Sequence, residues 1–414
     1  MSQRLLLKKQ RTWETFQKDR LEKMSDTIIS QTILSKTRLD EFLYSEYDGL
    51  NTEKFILHIK SLPEDDRDDE LFSILQGWLD WIVDKFDLSE GSTKNYFSRL
   101  NKYFWYRRIK ITSHDSKDEL EWPENIQEEK YAPSDEEFDK IVSSLGWRNQ
   151  GYCIGLASGG MRPLELMGTQ KKHYILMPNG KFKLEIPYYL TKKRISRTIF
   201  FSREFTPYIV KRLKKLDDEN FVWTYRKELP QSFLNRYSHL KEAKAKIKAI
   251  KRFATDMTIV VRHSLNRKLE PLELDMRYES TGEHKITLYS FRARFITKTL
   301  KILDGDIVHA IAGHGAYLQT YQRRTDLEKQ ELFQEVEHAI LVDSTARKQA
   351  ELEKEKTKTQ KLEAEVEKRK DVEFRLKKLE QEKSAILKRS NMETISLDDL
   401  DERIKKAIIE SKHQ

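Results

Sequence analysis

Cysteine is almost absent from this 414-residue chain, which has only Cys153. One thiol excludes an internal disulfide framework and any cysteine-rich zinc module, and it fits a reducing compartment. Long apolar runs are missing too. None approaches the ~20 residues of a membrane span. The stretch from Met1 to Lys23 is basic and broken by charge, so it lacks the apolar core of a signal peptide. Helix breakers run out early: the last proline is Pro271 and the last glycine is Gly315. Charge and aromatic rings, by contrast, are plentiful. Lys plus Arg number 77 against 68 Asp plus Glu, a formal net charge of +9, and 19 Phe, 17 Tyr and 7 Trp require burial. That excludes wholesale disorder. At ~100–200 residues per domain the length suggests two or three domains. The expectation is a soluble, basic, cytoplasmic protein for which nucleic acid is a natural partner.

Periodicity and punctuation divide the chain. Residues 1–24 form a basic arm. Residues 25–115 carry helical spacing, with Leu71, Leu75, Trp78, Ile82 and Phe86 on one face. Ser92 reads as the N-cap of a further helix, whose Tyr96, Leu100, Tyr103 and Phe104 share a face. Its other side carries Lys94, Arg99, Lys102, Arg107 and Arg108, a basic row suited to a phosphate backbone. An ordinary solvated face is the alternative. An acidic stretch interrupted by Pro123 reads as a linker over 116–130. Ser134 and Glu137 then form a capping box that opens a second domain over 131–343. Within it, strand-like runs flank Asn179-Gly180 and the 191–196 region, which predicts a three-stranded sheet. Lys241, Lys244, Lys246, Lys248, Lys251 and Arg252 make a local positive patch against Glu242. Residues 344–414 read as a charged helical tail. Leu362, Val366, Val372, Leu376, Leu379 and Ile386 form an imperfect heptad seam there. It suits a coiled coil; a solvated helix held by i,i+4 Glu–Lys pairs is the alternative.

Four strings carry the chemistry. In Ser158-Gly159-Gly160-Met161-Arg162-Pro163-Leu164-Glu165-Leu166 an arginine follows two glycines and a glutamate comes one helical turn later. Next is Thr191-Lys192-Lys193-Arg194, ahead of the apolar Ile199-Phe200-Phe201. The third string is Tyr289-Ser290-Phe291-Arg292-Ala293. The fourth is Gly313-His314, with Tyr317 and Tyr321 downstream and no later tyrosine. In this order they resemble the boxes of the tyrosine recombinase (phage integrase) family over about residues 25–325, most like archaeal or archaeal-virus integrases.

The resemblance implies a fold and a set of roles. The fold is an α-helical N-terminal core-binding domain plus a mixed α+β catalytic domain, followed here by the long C-terminal helix. Arg162 and Arg292 match the two catalytic arginines, and Glu165 the supporting glutamate. Lys192 matches the lysine of a β-hairpin, with Lys193 the alternative should the register slip by one. Tyr289 stands where the family's third box begins with histidine, and Ala293 replaces the histidine after the arginine. His314 matches the Gly-His box. Tyr321 is the nucleophile, with Tyr317 as the alternative, since the loop after His314 is shorter than the family's.

The residue types suit the task on physical grounds. Cleaving a phosphodiester requires a nucleophile, charge neutralisation at phosphorus and a proton for the leaving oxygen. A tyrosine supplies a covalent intermediate that conserves the bond energy. Two arginines clamp non-bridging oxygens and stay charged. Lys192 is the candidate general acid, and His314 and the Tyr289 hydroxyl can donate to the phosphate. The expected activity is site-specific DNA recombination through a covalent 3′-phosphotyrosine, on double-stranded DNA, by a homo-tetramer. No cofactor, metal, ATP, membrane or small-molecule substrate is called for. A type IB topoisomerase-like or hairpin-forming resolvase uses the same residues, and a non-catalytic DNA-binding relative is the other class.

Overall fold

The computed structural model describes residues 11–126, 128–178, 180–314, 321, 323–390 and 397–410. They divide into two compact units. One runs to Glu129 and adds Arg277–Glu283; the other takes Lys130–Met276 and the chain from His284 onward. The described residues are mostly helical, with one small sheet. No helix among them is long and apolar enough to cross a membrane.

The first unit is built on α1 (Trp13–Asp19), α2 (Asp26–Glu46), α3 (Thr52–Ser61), α4 (Glu64–Phe86) and α5 (Glu90–Tyr106). Its core forms where their apolar faces meet: Leu39 and Leu43 of α2, Phe55 and Ile59 of α3, Leu75, Trp78 and Ile82 of α4, and Leu100 and Phe104 of α5 are all buried. The N-cap of α5 is Ser89, not Ser92. The backbone N–H groups of Ser92 and Thr93 already donate to the Ser89 carbonyl, so Ser92 lies inside the first turn. After the short helix α6 (Asp115–Asp118), Leu120 is buried in the same core. Trp122 meets Phe97 edge-on at 5.5 Å, and its indole N–H donates to the Ser116 carbonyl. The acidic segment thus begins as packed structure, held by two apolar anchors.

The second unit opens with α7 (Asp135–Ser144), closed at its start by the Ser134–Glu137 capping box. Then come α8 (Trp147–Gly159), α9 (Pro163–Met167) and an antiparallel sheet of β1 (Tyr174–Leu176), β2 (Phe182–Ile186) and β3 (Arg197–Phe200), in that order. Helices α10 (Thr206–Leu213), α11 (Gln231–Asn235), α12 (Glu242–Leu269), α13 (Leu288–Thr299), α14 (Gly305–Ile311) and α15 (Asp326–Ile340) follow. Leu156, Phe205, Trp223, Phe291 and Phe295 lie at the centre of the core. Gly160 ends α8 with φ +59°, and a Cβ there would stand 2.4 Å from a ring carbon of Phe295. The glycine supplies both the left-handed turn and the close approach of α13.

Beyond this core run α16 (Ser344–Ser390) and α17 (Leu397–Glu410). The first turns of α16 are docked. Ala350 is buried, Glu353 pairs with Arg203, and Arg347 pairs with Asp135, which also holds Arg294 and Lys298 of α13. Further along, Leu362, Val366, Val372, Leu376, Leu379 and Ile386 stand 41–62% exposed. The seam is one helix, exposed among the described residues.

Candidate active site

The site starts at the α8–α9 corner. Arg162 caps α9 in extended backbone, Pro163 occupies the first helical position, and Glu165 lies three residues on. Glu165 therefore reaches back: its carboxylate accepts from Arg162 N at 2.9 Å and from Arg162 Nη1 at 3.0 Å. A second guanidinium comes from the first residue of β3. Arg197 Nη2 and Nη1 donate to the two Glu165 oxygens at 2.6 and 3.2 Å. The side chains of Arg197 and Glu165 are each 1% exposed. Burial pushes the Glu165 carboxyl up, but Arg197 and Arg162 outweigh it and hold the group below its ordinary value.

A third guanidinium arrives on α13. Arg292 is buried, and its Nη1 donates to the carbonyls of Gly160 and Ala312. Burial, followed by Arg162 and Arg197, draws its pKa down to about 10, so it stays a cation at neutral pH. Arg162 reaches the same turn, 3.4–3.5 Å from the Gly313 carbonyl. Gly313 has φ +81°, and a Cβ on it would fall 2.0 Å from Arg197 Nη1. The three guanidiniums thus close on the 312–313 turn with one carboxylate between them. Three positive charges less one negative leave two in excess, a centre built for an anion.

His314 completes the cluster. Arg292 Nη2 lies 3.0 Å from His314 Nε2, and His314 Nδ1 lies 2.8 Å from Nδ1 of His309. The two rings stack 4.9 Å apart. Burial first, then Arg292, His309 and Arg162, lower the His314 pKa to about 4. It is neutral at pH 7.

Tyr289 is exposed in the first turn of α13, one turn before Arg292, and acts electrostatically on it. Lys192 and Lys193 stand exposed in the β2–β3 connection, without a polar partner among the described residues. Tyr321 is buried, with Arg197 acting on it electrostatically. Its hydroxyl donates to the Thr198 carbonyl of β3 at 3.4 Å, and burial raises its pKa above the ordinary tyrosine value. Tyr317 lies outside the described residues. No three His, Cys, Asp or Glu side chains among the described residues are placed to hold a metal ion.

On α5, Lys94 and Lys102 are exposed and Arg99 half-buried; just beyond the helix, Arg108 is also exposed. Arg107 departs from that row. It is 6% exposed, bound to Glu53 and, at 2.8 Å, to the Tyr103 hydroxyl. Position 107 lies one turn beyond the buried Tyr103, so it follows the apolar stripe inward. Two members of the cluster escaped the sequence reading, Arg197 and His309. Arg197 carried a signal: it stands two residues before the buried Ile199 on β3, and alternation puts both on one face. His309 carried none beyond its place one helix before Gly313.

No family model matches the chain, and no curated protein does. Among solved structures, the integrase from mycobacterium phage Brujita matches at 13% identity and a TM-score of 0.35, covering 78% of this chain and 90% of that one. XerH site-specific recombinase bound to its difH substrate matches at 18% and 0.37, covering 63% and 68%. The Tn1549 transposon integrase in complex with transposon right-end DNA matches at 13% and 0.42, covering 77% and 95%. At these values they mark what the chain is similar to and assign it no activity.

Proposed function

We propose that this chain is a site-specific DNA recombinase that cuts and rejoins duplex DNA through a covalent phosphotyrosine. The observation that carries the reading is the over-positive cluster of Arg162, Arg197, Arg292 and Glu165 closed on Gly313, with His314 inside it. A phosphodiester brings one negative charge and two free oxygens to such a centre. In this reading Arg162 and Arg292 clamp those oxygens, leaving their backbone carbonyls as the phosphate arrives. Arg197 stays on Glu165 and holds the clamp's geometry. Lys192, on its exposed loop, protonates the leaving oxygen, and Tyr289 donates to the phosphate. Tyr321 attacks after it leaves Thr198. Lys94, Arg99, Lys102 and Arg108 bind the backbone elsewhere on the duplex. Copies pair through the exposed seam of α16 during synapsis.

The burial of Tyr321 supports a second reading, a DNA-binding relative that does not cut. Nicked suicide-substrate DNA separates the two. The recombinase traps a covalent complex that Tyr321→Phe abolishes, whereas the binding relative traps none. Covalent product attached at Tyr317 would move the nucleophile to that residue.

A further inference from the structure

We propose that His309 fixes the tautomer of His314 and stores the proton His314 takes up during strand cleavage. The storage step rests on the recombinase reading; the tautomer is a property of the free protein.

The hydrogen bonds determine each ring. A guanidinium only donates, so His314 Nε2, 3.0 Å from Arg292 Nη2, presents its lone pair. A neutral imidazole with a bare Nε2 carries its hydrogen on Nδ1. That N–H points at His309 Nδ1, 2.8 Å away, which must accept. Neutral His309 therefore holds its own hydrogen on Nε2. Among the described residues, the charged groups acting most strongly on His314 are the cations Arg292 from α13, Arg162 from the start of α9 and Lys130 ahead of α7; His309 faces it from α14.

This arrangement makes His314 a lone pair aimed into a cluster of cations. Protonated there, it would become an imidazolium against Arg292, an unfavourable end state. His309 offers the exit. When Nε2 takes a proton from the attacking tyrosine hydroxyl, that O–H bond breaks and the Nε2–H bond of His314 forms. The Nδ1–H bond of His314 breaks in turn, and an Nδ1–H bond forms on His309. The positive charge finishes on His309, one ring further from Arg292. His314 is again neutral, now with an Nε2–H able to donate to the phosphate. Rejoining runs the transfer backwards. His309 touches no substrate in this scheme; it is a positioning and proton-holding residue.

Two substitutions separate holding from storing. Glutamine can accept the His314 Nδ1–H through its carbonyl oxygen but cannot take the proton. Phenylalanine keeps a stacked ring and offers no acceptor. In the full chain, histidine 15N spectra should show His314 protonated on Nδ1 in the wild type and in His309→Gln, and no longer so in His309→Phe. Covalent-complex formation on nicked DNA should slow by ~100-fold in His309→Gln, the scale of a lost proton-transfer partner, and the acidic limb of its pH profile should shift or vanish. A wild-type His314 protonated on Nε2, or an unchanged tautomer in His309→Phe, overturns the tautomer assignment. Wild-type rate and pH profile in His309→Gln overturn storage. Wild-type protein that cuts no DNA sinks the recombinase reading and storage with it, while the spectra decide the tautomer alone.

Discussion

Replacing Arg197 with methionine asks how much of the site depends on one buried ion pair. Glu165 accepts four hydrogen bonds, two from Arg197 and two from Arg162. Methionine keeps much of the aliphatic stem but leaves the space beneath Gly313 empty and removes one of two cations from a carboxylate that is 1% exposed. Removing one partner of a buried pair costs ~3–5 kcal/mol. Because Arg162 still holds the carboxylate, the loss should fall near the lower end, about 3 kcal/mol. That is a large share of a domain's ~5–15 kcal/mol. The pH dependence follows with a definite sign. A carboxyl held below its ordinary value adds stability above the unfolded pKa and loses it as pH falls through the folded pKa. Without Arg197 the folded value rises, so Arg197→Met should lose stability at a higher pH than the wild type. Urea unfolding at neutral and mildly acidic pH measures both effects. Adding Glu165→Leu to Arg197→Met should recover only part of the loss: it removes the half-compensated buried carboxylate but leaves Arg162 with the Gly313 carbonyl in place of its ion pair. Stability of Arg197→Met within ~1 kcal/mol of wild type at neutral pH, with unchanged acid sensitivity, would refute this account of the pair.

Gly313→Ala should be destabilised and cut no DNA, because φ is +81° and the added carbon lands 2.0 Å from Arg197 Nη1; thermal melting and the nicked-DNA assay check it. Arg292→Ala should bind its site within a small factor of wild type and form no covalent complex, and a gel-shift paired with a cleavage gel distinguishes the two effects. Shortening the tail should depend on where the cut falls. Removing residues 366–414 should lower self-association but spare folding, whereas removing 346–414 also deletes Arg347 and Glu353, which pair with Asp135 and Arg203, and should lower the melting temperature. Acidification should also cost stability through His314: its folded pKa of about 4 lies below the unfolded ~6.5, so the unfolded chain binds the extra proton first and stability falls as pH drops between those values. Histidine titration by NMR would show it.

Much of the fold was legible because helical spacing is a local signal. The row Leu71, Leu75, Trp78 and Ile82 is buried in α4, and Ser134 with Glu137 opens α7. The small sheet was legible from its turns and strand runs. What escaped depends on neighbours distant in sequence. Arg107 looked like one more surface cation until Glu53, from another helix, drew it inside. Leu120 and Trp122 sat in an acidic stretch, and composition averaged them away. At the site, Arg162 and Glu165 could be read together because a single helical turn joins them. Arg197 reaches Glu165 from a strand 32 residues later, and His309 acquires meaning only from the ring stacked on it.

The tail helix has a mechanical consequence. Its 47 residues, at ~1.5 Å each, make a rod ~70 Å long, the span of ~20 base pairs at 3.4 Å per step. A flexible tether of equal length would limit how far apart two bodies could drift. A rod anchored through Arg347 and Glu353 instead fixes how far apart they stand, and at what angle. It is a ruler with a phase: deleting one residue between Lys354 and Leu362 would shorten it by only ~1.5 Å yet rotate everything beyond by ~100°, turning the apolar seam away from whatever it faces.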